Sequence, residues 1–80
     1  MLKKTKENEN KIAPAELVRE VKNLFGNKKF DEALILGLEI ITKYPDTTII
    51  HNILGIIFFH KNTFNQSLQH FKVALELDCT

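Results

Sequence analysis

Eighty residues make one small domain, in which folding removes only about 60% of the unfolded surface from water. With 44% hydrophobic and 26% charged residues the composition is that of a soluble globular chain, and 11 Lys and Arg against 10 Asp and Glu leave no basic excess for nucleic acid or a membrane surface. One cysteine, Cys79, excludes an internal disulfide; the amino terminus lacks the apolar run of a signal peptide, and the longest strongly apolar stretch, 53–59, is too short to span a bilayer, so a cytoplasmic chain is expected.

Residues 1–11 are mostly lysine, glutamate and asparagine with only Leu2 strongly apolar among them, the composition of a disordered tail, and order is expected from residue 12 to 80. Pro14 suits the first position of a helix, Glu16 complements its positive end, and Ile12 and Leu17 are spaced for a hydrophobic staple. That helix runs to about residue 25, with Leu17, Val21, Leu24 and Phe25 at helical spacing, and Gly26-Asn27 ends it.

A second helix, from about 29 to 44, carries Phe30, Ala33, Leu34, Ile40 and Ile41 on one side, while Ile35, Leu36 and Leu38 spread apolarity beyond it and suggest an internal helix. Pro45 stops it, and Asp46 or Thr47 can cap the next. The stretch 48–61 holds the largest local share of burial energy: Ile49, Ile50, Ile53, Leu54, Ile56, Ile57, Phe58 and Phe59 fill more than an ordinary surface stripe. It reads as a helix gripped on two or three sides, with Gly55 admitting a neighbour closely. A fourth helix opens with Thr63 and Gln66 in capping-box spacing and runs to about 77, with Phe64, Ser67, Leu68, Phe71, Ala74 and Leu75 in one arc. All connections are short, so consecutive helices should pack as antiparallel hairpins.

Sliding the sequence on itself by 34 residues aligns Phe30-Asp31-Glu32-Ala33-Leu34 with Phe64-Asn65-Gln66-Ser67-Leu68 and Phe25 with Phe59. Identities are few, yet size and role persist and the helix boundaries coincide. The chain resembles the tetratricopeptide repeat family, whose unit is a 34-residue helix hairpin. In the second copy, Leu54-Gly55 and Phe58 stand where that family keeps leucine, glycine and an aromatic, and Phe64, Phe71 and 74–78 match its second helix. Ser67 replaces the usual alanine and Cys79 the usual proline. In the first copy Phe30, Ala33 and Pro45 match, but Val21 stands at the glycine position and Gly37 where an aromatic is usual.

The resemblance implies an all-α fold of two tandem antiparallel helix hairpins, about 14–47 and 48–80, in the right-handed stack of an α-solenoid. It also implies a protein-binding concave face lined by the first helix of each hairpin: Ala15, Val18, Lys22 and Phe25 from the first, and Ile49, Asn52, Ile56, Phe59 and His60 from the second. Helical spacing independently puts those five residues of the third helix in one arc. The lysine and asparagine clamp that some relatives use on a terminal carboxylate is not present, with Val18 and Lys22 at the first copy's clamp positions. An apolar or helical partner segment is therefore expected, its backbone bonded by Asn52.

No chemistry competes with this reading. His51, His60, His70 and Cys79 lie nine or ten apart, off the spacing that puts two metal ligands on one helical face, so neither metal nor cofactor is expected. His51 is expected to pack between hairpins and His70 to lie at the surface. Asp31-Glu32 begin a helix, where acids favour the dipole, and Lys28-Lys29 read as a solvated face. No enzyme is expected in these residues.

Repeats of this kind need stacking partners. For a chain that stops at Thr80 a homodimer is expected, burying Ile49, Ile56 and Phe59 or the end formed by Val73 and Leu77. The competing reading is an amino-terminal repeat segment of a longer bacterial enzyme such as a transferase, and a weaker one is an isolated four-helix bundle.

Overall fold

The computed structural model describes residues 11–77; the expected tail up to residue 10, the Pro45-equivalent Cys79 and the end at Thr80 lie outside them. The described residues are all-helical, with no strand: α1 (Ala15–Gly26), α2 (Phe30–Lys43), α3 (Thr48–His60) and α4 (Phe64–Leu77). Pro14 stands one place outside α1, where its carbonyl accepts the amides of Leu17 and Val18. The expected staple does not close the start, since Ile12 is exposed and Ala13 is the residue that enters the core.

Two helices that differ in sequence end in the same way. After α1, Lys28 takes a left-handed φ of 62°, its amide donates to Phe25 O (3.0 Å) and that of Lys29 to Leu24 O (2.9 Å). After α3, Asn62 takes a φ of 63°, its amide donates to Phe59 O (3.0 Å) and that of Thr63 to Phe58 O (2.9 Å). Both are Schellman turns, and every donor and acceptor in the second lies 34 positions after its counterpart. The left-handed residue that such turns reserve for glycine is here lysine or asparagine; Gly26 sits inside α1 at negative φ. Thr63 does not close a capping box, because its hydroxyl turns back towards Lys61 O at 3.4 Å.

The apolar load of α3 dictates its position. Ile50, Leu54 and Ile57 are fully buried, and α3 is in contact with all three other helices. Gly37 makes room on α2: a methyl there would fall 2.9 Å from Leu54 Cδ2. Gly55 makes room on α3 for a side chain of α4, since a methyl there would meet the Phe71 ring at 2.7 Å, and its carbonyl accepts the Ser67 hydroxyl at 2.7 Å. By contrast, α4 comes nowhere within 8 Å, Cα to Cα, of α1 or α2. The four helices therefore do not close around one common core; the arrangement is open-sided, with α3 in the middle.

One expectation about coverage needs correction. α2 is not internal: Ala33, Gly37 and Ile40 are buried, but Ile35 stands exposed because no helix packs on its back. Of the apolar arc on α4 only Ser67 and Ala74 are buried; Phe64, Leu68 and Leu75 are 55%, 66% and 71% exposed.

Candidate functional site

The open side of α3 comprises the five residues whose spacing singled them out. Ile49, Asn52, Phe59 and His60 are exposed and Ile56 is half-buried, while the remaining circumference is pressed against neighbours. Buried Ile53 and Ile57 border this strip on one side and Gly55, under Phe71, on the other. On α1, Ala15 and Lys22 are exposed, Val18 and Phe25 half-buried.

These residues do not form one continuous trough. Ala15, Val18, Lys22 and Ile49 line a groove of about 750 Å³ between the amino-terminal ends of α1 and α3, together with Ile12, Ala13, Arg19, Asn23, Asp46, Thr47 and Thr48. Asn52 faces a smaller cleft of about 140 Å³ on the other flank of α3, with Thr48, Phe71, Ala74 and Leu75. Phe59 and His60 belong to neither. His60 stacks on Phe30 (centroids 5.4 Å apart, 10° between planes), and Phe59 meets Phe64 edge-on at 5.4 Å. Phe25 leans on Phe30 at 5.5 Å, the same pair as Phe59 and Phe64 one 34-residue step earlier.

The groove is mainly apolar at its base and charged at its rim, where Arg19 and Lys22 outnumber Asp46. Its floor is fixed by Thr47. This buried hydroxyl accepts the Ala13 amide at 2.8 Å and donates to Tyr44 O at 2.9 Å, while the Asp46 amide donates to Lys11 O at 2.8 Å. The strand of chain entering α1 is thereby tied to the loop entering α3. Sequence reading assigned Thr47 only a capping role and did not mark Arg19; the 34-residue separation of Ala13 and Thr47 was the available signal.

On the opposite flank His51 and His70 form a pair. Pro45 O can only accept, so His51 Nε2 carries the proton it donates there at 2.8 Å; His51 Nδ1 is then the acceptor and His70 Nδ1, 3.2 Å away, the donor. His70 is half-buried, stacked on Phe58 at 5.4 Å, in place of the surface position expected of it. Burial, and secondarily the neighbouring His51, hold its pKa below the ordinary histidine value.

Val73 is exposed and Leu77 half-buried, both on the face of α4 away from Phe71 and Leu75. Among the described residues no three His, Cys, Asp or Glu side chains are grouped to hold a metal, and no helix is long and apolar enough to cross a membrane. Compared with family models, with curated proteins and with solved structures, the chain matches none.

Proposed function

We propose that this chain is a non-catalytic interaction module of the tetratricopeptide kind, two hairpins stacked with a right-handed turn, and that the groove between α1 and α3 receives a segment of another protein. Three features support the repeat reading: the two Schellman turns 34 residues apart, the aromatic pairs Phe25–Phe30 and Phe59–Phe64 at the same interval, and the buried small residues Ala33 and Ser67 at equivalent places. The open contact pattern, with α4 clear of α1 and α2, favours a stack over a closed bundle.

The groove carries the functional reading. Its Ala13, Val18 and Ile49 base suits apolar side chains, and Arg19 and Lys22 along α1 suit an acidic residue beside them. The partner is accordingly a short apolar segment with an acidic flank, seated beside α1 and reaching over Ile56 towards Phe59.

Lys22→Glu with Ile49→Asp is the test, because both side chains are exposed and their loss spares the core. Proteins retained by the wild type and lost by the double variant, with the helical circular dichroism unchanged, are the expected result. Equal retention by both would remove the groove from the function.

A further inference from the structure

The 34-residue interval maps one helix face of known use onto another whose use is open. On α2, the stripe Phe30, Leu34, Gly37, Ile41 is the side on which α3 docks: His60 stacks on Phe30, and Leu54 and Ile50 close over Gly37. The equivalent stripe on α4 is Phe64, Leu68, Phe71, Leu75; α3 reaches only its edge, where Phe71 lies over Gly55 and Phe64 meets Phe59, and among the described residues no helix covers the rest.

We propose that this α4 stripe is a self-association surface, on which α4 of a second copy of the chain packs antiparallel about a two-fold axis. Three observations select that occupant. The stripe's spacing of four, three and four residues reads the same in both directions, so an antiparallel copy sets Phe64 against the partner's Leu75 and Leu68 against the partner's Phe71. Each aromatic ring meets a leucine. Secondly, the side of α1 turned away from the groove, at the opposite end of the molecule, is acidic, with Glu16 and Glu20 both exposed. A head-to-tail copy would bury those charges, so association closes at two instead of growing into a filament.

Thirdly, the area is of the right order. The four side chains leave on the order of 400 Å² open per copy, and with Phe59 beside Phe64 and the stems of flanking polar residues a pair approaches the ~1,200 Å² at which specific interfaces begin. That is the low end of the range, where weak and transient interfaces sit. This surface shares no residue with the lining of the groove between α1 and α3 and meets the proposed partner path only at Phe59, and Val73 and Leu77 lie on the other side of α4 from it.

Sedimentation equilibrium across the micromolar range tests it on the chain itself, with Lys22→Glu as a groove control. The wild type and the control should approach twice the monomer mass, and Leu68→Asp with Leu75→Asp should sediment as a monomer with unchanged helical signal. Both substituted side chains are mostly exposed, so the variant keeps its fold. A wild type that stays monomeric, a dimer that survives the double substitution, or mass that keeps growing past two copies would each overturn the proposal. Dimerisation lost only in the groove control would overturn it too, and would move self-association to α1 and α3.

Discussion

Lys28 and Asn62 occupy the same backbone position in two equivalent turns, and the difference between them is chemical. A side chain at φ near +60° brings Cβ against the following carbonyl, a strain of roughly 1–2 kcal/mol that asparagine tolerates better than lysine and glycine escapes. Lys28→Gly should therefore raise the urea midpoint, by about 1 kcal/mol in unfolding free energy, and Asn62→Gly should change it by less. Gly55 poses the opposite problem. Alanine there adds helix propensity of up to about 1 kcal/mol but drives a methyl into the Phe71 ring, an overpacking cost of about 1–3 kcal/mol, so Gly55→Ala should destabilise. In a double-mutant cycle with Phe71→Ala that loss should shrink, because the ring causing it is gone. A loss unchanged by Phe71→Ala would place the strain elsewhere.

At the scale of elements, two polar ties hold α3 in register. Thr47→Val keeps the shape, and the amide of residue 47 still donates to Tyr44 O, but the buried Ala13 amide loses its partner, which should cost about 1–3 kcal/mol and accelerate amide exchange at the start of α1. The histidine pair is the second tie. Because His70 has a folded-state pKa below its unfolded value of about 6.5, the unfolded chain takes up the proton first. The stability it contributes is complete above about pH 6.5 and is lost as pH falls through the lowered value. Melting temperatures should drop on acidification through that window, and His70→Gln should flatten the drop.

Helix number, boundaries and the open residues of α3 were legible beforehand, because 100° per residue fixes each side chain's angle about its own axis. Periodicity does not state which arc a neighbour covers. Phe64, Leu68, Phe71 and Leu75 share one arc of α4 whether or not a helix packs on it, Ile35 looked buried for that reason, and the meeting of His51 with His70 across two helices left no trace in spacing along one. The split of the predicted face into a groove at Val18 and Ile49 and a separate cleft at Asn52 depends on how α1 and α4 flank α3, which is a tertiary property.

For the whole molecule, the decisive fact is that one helix joins everything. α3 touches α1, α2 and α4, whereas α4 touches α3 alone, so apart from the exposed Lys61–Asp31 ion pair the hairpins hold together only through α3. Leu54, fully buried over Gly37, lies at that junction. Its truncation to alanine removes buried methyl groups and opens a cavity that α2 cannot collapse into without giving up its contact with Ile50, at a cost of about 2–5 kcal/mol. Domains of this size hold roughly 5–10 kcal/mol or less in reserve, so Leu54→Ala should consume a large part of it. The loss should be shared: circular dichroism and the fluorescence of Tyr44, beside the α2–α3 loop, should report one coincident transition, since no pair of helices keeps a core once α3 is released. A helical fraction that persists after the Tyr44 signal has gone would show that a hairpin stands by itself, and α3 would then be a connector between two independent cores instead of the shared centre of one.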